Sequence, residues 1–352
     1  MKISIITPGA EGGYGGISKY NSNIVNFFLK KNNCEKIYLF SRTRVNYNHK
    51  KISSNYSSNK LYFLITLLLN HLNLFRSDII FVTHINLILF CFFPILLKKK
   101  VVLINYGLEI WGTEKSFIYH WLIKKINFFI CMREYTKKVL KKKYSIKKNK
   151  RLFDLHNSIK FRKVKLNKKS SKDLVTVARL DASEKFKGID ETLEALGAMK
   201  KINFKYHIIG EGNDKQRLIN KAKKIGCFKY VKFYGKLGDK KRDLILSNSK
   251  IMIMPGSDLT FDTYPFRFIF LEAAEFGLHL IGSFPPDVNE KNYEKKYSCL
   301  NYVNPKNKQS IINKIRILQK KNKIKDEKFI NDFSITNFNI KLNKIVFTIQ
   351  AI

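Results

Sequence analysis

Short runs of consecutive apolar residues, rich in Ile, Val and Phe, recur along the chain with segments of helical spacing between them. The first series comprises Ile3–Thr7, Lys36–Phe40, Ile79–Thr83, Val101–Ile104, Phe128–Cys131 and Leu152–Leu155. A run that is apolar at nearly every position has no solvent-facing side, so each predicts a strand buried on both faces, as in a parallel sheet covered by helices. The basic stretch Lys165–Lys172 lacks apolar periodicity and interrupts the pattern. A second series follows: Leu174–Ala178, Lys205–Ile209, Val231–Tyr234, Ile251–Met254 and Leu280–Gly282. This alternation predicts an α/β chain of two successive Rossmann-like, doubly wound units, residues 1–165 and 166–335. Helical spacing resumes near Phe333 and predicts a terminal helix over 336–352.

Two apolar stretches raise the question of a membrane. Ile79 to Leu97 spans 19 mostly apolar residues between Asp78 and Lys98-Lys99-Lys100. That length permits a transmembrane helix, yet His84, Asn86 and Pro94 are costly or disruptive in lipid. The pattern predicts instead a strand, Ile79–Thr83, and then a buried helix from Asn86 to Leu97. Leu61 to Phe75 has helical spacing without a clear polar face, which fits either a core helix or one lying against a bilayer. Met1-Lys2 runs directly into the first strand and leaves no room for a secretory apolar core.

With 352 residues, 45% of them hydrophobic and 13% aromatic, the chain can bury two cores and is too apolar for disorder. Charge adds a different constraint: 67 basic against 27 acidic residues give +40. Residues 1–165 hold 31 basic and 7 acidic groups (+24), and the rest hold 36 and 20 (+16). Such an excess points to a polyanion, whether nucleic acid, an anionic bilayer face or phosphorylated ligands. A Lys-, Asn- and Ile-rich base composition accounts for part of it equally well. Five scattered cysteines without a CxxC pair fit a reducing cytoplasm, and neither they nor the seven histidines form a metal-binding pattern.

Candidate chemistry lies where predicted strands end. Gly12-Gly13-Tyr14-Gly15-Gly16-Ile17 opens a helical segment after the first strand, so its backbone N–H groups can approach an anion. A flexible surface turn is the competing reading. In the second unit Arg179 follows a strand, and Lys185 and Lys187 precede Gly188 and a helix; two such loops can converge on one diphosphate. Gly210-Glu211-Gly212 ends the next strand. Glu272 sits early in a later helix among apolar neighbours, either as a helix-cap partner or as a ligand for vicinal hydroxyls.

Taken in order, these segments resemble the glycosyltransferase group 1 family of retaining GT-B enzymes. The resemblance runs through Gly15-Gly16-Ile17-Ser18-Lys19-Tyr20, Tyr106-Gly107-Leu108-Glu109-Ile110-Trp111, Asn157-Ser158, Arg179-Leu180 with Lys187-Gly188-Ile189-Asp190, Gly210-Glu211-Gly212 and Phe270-Leu271-Glu272-Ala273. It covers nearly the whole chain. It implies two Rossmann-like domains facing a central cleft, with the last helix crossing back to the first domain. It also implies transfer of a hexosyl-type sugar from a nucleotide sugar to a saccharide or lipid-linked acceptor, with retention, in cell-surface polysaccharide or lipopolysaccharide synthesis.

The resemblance assigns roles residue by residue. Arg179 and Lys187, with Lys185 as a rival, hold the donor diphosphate; Glu272 holds the nucleotide ribose. Gly15, Gly16, Gly210, Glu211, Ile269 and Phe270 line the donor, and Tyr106, Glu109 and His84 lie on the acceptor or sugar side. No metal and no resident cofactor is implied, because the nucleotide sugar is a substrate. The chain departs from the family pattern in three places. Tyr264 replaces a usual acidic residue, for which Asp262 can substitute; Tyr106 replaces a usual His; and Arg267 occupies a usual Gly position, as a further phosphate contact or as a cation stacked on aromatic neighbours. The basic first unit and its apolar helices imply an acceptor reached at the anionic inner face of the cell membrane by a cytoplasmic, peripheral protein. Two other classes compete: a catalytically inactive homologue serving as partner or scaffold, and a basic nucleic-acid-binding protein, although no RRM, KH or helix-turn-helix signature is present.

Overall fold

The computed structural model describes residues 1–12, 15–112, 115–167, 172–256, 267–283 and 292–352. The chain divides into two compact units, one formed by Met1–Ser158 with Ile335–Ile352, the other by Ile159–Ser334. Among the described residues the first unit holds a parallel sheet of seven strands: β1 (Lys2–Thr7), β2 (Lys36–Ser41), β3 (Ile52–Tyr56), β4 (Ile79–Val82), β5 (Val101–Asn105), β6 (Phe128–Cys131) and β7 (Arg151–Asp154). Their spatial order is β3-β2-β1-β4-β5-β6-β7. β1, β4, β5 and β6 are buried at nearly every position, as continuous apolar runs require. Phe63, Leu67, Ile88, Ile123 and Leu140 pack one face of the sheet. The helix Ile335–Gln350 buries Phe338, Leu342, Ile345, Val346 and Ile349 in this unit, with the Phe338 ring edge-on to Tyr20 at 5.6 Å.

The second unit repeats the plan with β8 (Leu174–Val177), β9 (Tyr206–Ile209), β10 (Val231–Gly235), β11 (Ile251–Ile253), β12 (His279–Ser283) and β13 (Leu300–Val303), in the order β10-β9-β8-β11-β12-β13. The break between units falls at Ser158/Ile159, six residues before the polar stretch Lys165–Lys172. The reason is local. Phe161 and Val164 pack on the second unit's core, and the Arg162 guanidinium holds the buried Glu275 carboxylate at 2.6 Å.

β3 and β13 are absent from the sequence reading. Both are edge strands: β3 alternates half-buried and exposed polar positions, and β13 is only four residues long. The segment after β4 is also not one helix from Asn86 to Leu97. It is a 3-10 turn, Ile85–Cys91, leading into a short helix, Phe92–Leu96. Pro94 sits in that helix's first turn, where its missing N–H costs nothing. No described helix is long and apolar enough to cross a membrane. The stretch from Leu61 to Phe75 forms helices Lys60–Leu69 and His71–Phe75, which bury only Phe63, Leu67 and Leu74 and leave Leu61, Tyr62, Leu64, Ile65, Leu68, Leu69 and Leu72 exposed.

Candidate functional site

In each sheet the strand order reverses direction once, between β1 and β4 and between β8 and β11, and crevices at the carboxyl ends of strands form at such switch points. In the second unit this region is built by close backbone approach. The N–H groups of Ala178 and Leu180, just past β8, donate to the carbonyls of Ile209 and Glu211, and Gly210 N–H donates to Gly235 O at 2.8 Å. A Cβ on Gly210 would meet Ala178 O at 1.7 Å, and one on Gly188, at φ +79°, would meet Pro255 O at 2.2 Å. Glycine is therefore required where the β9 turn and the Lys187 loop pass their neighbours.

Onto this frame the sequence places a knot of charge. Glu184 pairs with both Arg179 and Lys187, in the 3-10 stretch Ala182–Lys187. Burial lowers the Lys187 pKa, and the nearby Arg267 and Arg179 charges lower it further against the opposing pull of Glu184. Arg267, at the N-cap of the helix Phe268–Glu275, thus belongs to the same electrostatic cluster. Lys185 is exposed, whereas the Lys187 side chain is 15% accessible. The structure brings Arg179 and Lys187 together on Glu184, a residue that no motif in the sequence marks. Its only sequence signal is the i,i+3 spacing to Lys187.

Glu272 lies on the fifth position of the same helix, 13% accessible, with its carboxylate 3.7 Å from the Arg242 guanidinium. Phe270 is a core residue whose N–H donates to Arg267 O, which leaves Ile269, half-buried, as the nearer of the two to the surface. Glu211 is exposed and pairs with Lys215 at 3.1 Å. Asp262 and Tyr264 lie outside the described residues.

The first unit has its own crevice. A cavity of about 430 Å³ is lined by Pro8, Gly9, Gly12, Ser18, Arg44 and His84 among others, at the carboxyl ends of β1, β2 and β4. Gly15, at φ +87°, opens the helix Gly15–Lys30 beside it, followed by Gly16. Asn21 of this helix ties the loops together. Its amide donates to Thr7 Oγ1 and Gly9 O, each at 2.8 Å, and its carbonyl oxygen accepts from the Tyr106 hydroxyl at 2.6 Å. Burial and the Lys115 charge push His84 down to about 4, which keeps Nδ1 free to accept the Asn86 N–H at 3.1 Å. The half-buried Glu109 carboxylate accepts the N–H groups of Tyr106 and Gly107, the donors left over where β5 gives way to the turn Leu108–Trp111, and burial raises its pKa. Among the described residues no three His, Cys, Asp or Glu side chains are grouped so as to hold a metal ion.

The sequence profile of the family described as glycosyl transferases group 1 matches residues 157–332. No curated protein matches the sequence significantly. Solved structures match in fold. WaaB, a lipopolysaccharide outer core galactosyltransferase in its apo form, is 15% identical with a TM-score of 0.70 over 99% of both chains. HepE of Anabaena in complex with UDP is 12% identical with a TM-score of 0.74, over 99% of this chain and 100% of that one. A glycosyltransferase from Rickettsia africae is 16% identical with a TM-score of 0.72, over 99% and 98%.

Proposed function

We propose a specific reaction for this chain, which belongs to the glycosyl transferases group 1 family and has the two-unit α/β fold of GT-B enzymes: retaining, metal-independent transfer of a hexosyl-type sugar from a nucleotide sugar to a saccharide or lipid-linked acceptor. The observation that carries it is the pairing of Arg179 and Lys187 on one carboxylate, Glu184, beside the switch point of the second unit, with Arg267 at the N-cap of the helix Phe268–Glu275. In the reaction the bond between the sugar's anomeric carbon and the diphosphate oxygen breaks, and the acceptor hydroxyl oxygen bonds to that carbon on the same face. The hydroxyl proton passes to the departing diphosphate. Negative charge concentrates on the leaving group, where fixed cations act most strongly. Arg179, Lys187 and Arg267 receive that charge, displacing Glu184 from its pairs; Glu272 takes the ribose hydroxyls, with Arg242 holding its carboxylate in place.

The acceptor is taken by the first unit, in the crevice lined by His84, Thr43 and Arg44. The excess of cations there and the exposed apolar face of residues 61–72 support work at the anionic inner face of a membrane, in cell-surface polysaccharide or lipopolysaccharide synthesis. That WaaB acts on the lipopolysaccharide outer core, and that HepE was solved with UDP, supports the same classes of acceptor and donor.

The test is to incubate the protein with UDP-, GDP-, ADP- and TDP-sugars in EDTA, watching the anomeric proton by NMR as donor is consumed. An α-linked donor giving first an α product supports the reading; a β product overturns retention. One observation favours the inactive-homologue alternative: the Tyr106 hydroxyl, where the family has a His, is committed to Asn21. Failure of every one of these nucleotide sugars to bind would favour that alternative.

A further inference from the structure

The first unit has a second cavity, of about 370 Å³, at the opposite ends of its strands from the crevice described above. It opens where β5 and β6 begin, with Val101 and Phe128 in its walls and Lys98, Lys99, Lys100 and Lys125 around it. Ile352 completes the lining, in which no Asp or Glu side chain takes part among the described residues, and Lys100 Nζ donates to Gln350 O at 3.1 Å. Lys150 stands alongside, donating to Asn127 Oδ1 at the rim, and the charges of Lys147 and Lys125 add to burial in lowering its pKa.

The backbone carries an independent sign. Lys98 N–H donates to Ile95 O and Lys99 N–H to Pro94 O, closing the helix Phe92–Leu96 with Lys98 at φ +53°. This is the left-handed position after a helix end that glycine usually fills. A lysine held in a disfavoured conformation here keeps a third cation beside Lys99 and Lys100. The residues just before it are apolar and exposed: Phe93, Leu96 and Leu97 are 60, 42 and 63% accessible. A small aqueous anion uses the lysines but has no use for that apolar rim, whereas an amphiphile uses both.

We propose that this cavity binds the phosphate group of a membrane lipid, with the lysines on the phosphate and Phe93, Leu96 and Leu97 against the acyl region. The proposal rests on the bilayer part of the reading above and not on its donor chemistry. It is tested by sedimentation with vesicles of 30% phosphatidylglycerol in phosphatidylcholine. Wild type is compared with Lys98→Gly/Lys99→Gln/Lys125→Gln and with a control lacking three exposed lysines of the second unit, Lys200→Gln/Lys201→Gln/Lys224→Gln. Glycine relieves the strained position, so the first variant keeps its fold, and its binding of nucleotide sugar stays as in wild type.

The expected result is a loss of vesicle affinity of at least about tenfold in the cavity variant and less than about twofold in the control. Equal losses would mean diffuse attraction and overturn the site. Failure of wild type to sediment would overturn it as well. A thermal shift with glycerol 3-phosphate, without vesicle binding, would assign the cavity to a soluble phosphate and overturn the lipid source. Loss of nucleotide-sugar binding in every protein, with vesicle binding intact, would fault the donor reading alone.

Discussion

Glu184 occupies both cations that the proposed donor needs, so an incoming diphosphate competes with a carboxylate already in place. Glu184→Gln is expected to tighten nucleotide diphosphate binding several-fold, measured by titration calorimetry. An unchanged or weaker Kd would make Glu184 an organiser of the cations rather than their competitor. His84 gives a prediction about pH. Its pKa is depressed to about 4, so the unfolded chain takes up the proton first as pH falls. The stability it contributes is complete above pH 6.5 and is lost progressively between pH 6.5 and 4, by up to about 3 kcal/mol. Asn can cap the same turn without titrating, so His84→Asn should flatten this part of the Tm profile; a variant profile parallel to wild type would contradict it. Arg179, Lys187 and Glu272 were legible in the sequence because they sit at fixed offsets from strand ends and a helix start. Glu184 was not, because a carboxylate three residues from a lysine ordinarily reads as a solvated pair. Glu109 was legible as chemistry but not in role, since its use as an acceptor for two loop N–H groups follows from backbone geometry alone.

At the scale of elements, glycines set the loops that carry the cations. Gly188→Ala places a methyl against Pro255 O in a left-handed conformation and should displace the Lys187 loop. The expected outcome is a KM for the donor at least about tenfold higher with acceptor KM little changed; unaltered donor KM would show that the loop does not serve the donor. The helix Lys60–Leu69 offers a contrast between its two faces. Leu67 is 3% accessible and Leu69 78%. Leu67→Glu buries an unpaired carboxylate and should cost several kcal/mol, whereas Leu69→Glu should move Tm by less than about 1 °C. Equal effects would mean that the apolar face is covered in solution. The central strands were readable because burial on both faces demands unbroken apolar runs. β3 and β13 escaped because an edge strand can be polar or short, and the break at Cys91 escaped because periodicity does not separate a 3-10 turn from an α-helix.

Across the whole molecule, two successive α/β series predicted two units, and the family profile over residues 157–332 covers nearly all of the second. The break between units falls before residue 165 because Phe161 and Val164 already pack on the second unit's core. Net charge of +40 and Lys98, Lys99, Lys100 and Lys125 as candidate contacts with an anionic bilayer were legible in the sequence, whereas their lining one cavity follows from β5 and β6 lying side by side. The central claim is that the second unit holds a nucleotide sugar through Arg179, Lys187 and Arg267. Its most direct test is the thermal unfolding of wild type, Arg179→Ala, Lys187→Ala and Arg267→Ala with UDP-, GDP-, ADP- and TDP-sugars. One nucleotide should raise the wild-type Tm by about 5 °C at saturating concentration, with the shift abolished in Lys187→Ala and reduced in the two arginine variants. A Tm unmoved by every nucleotide sugar, or a shift in Lys187→Ala as large as in wild type, would contradict it.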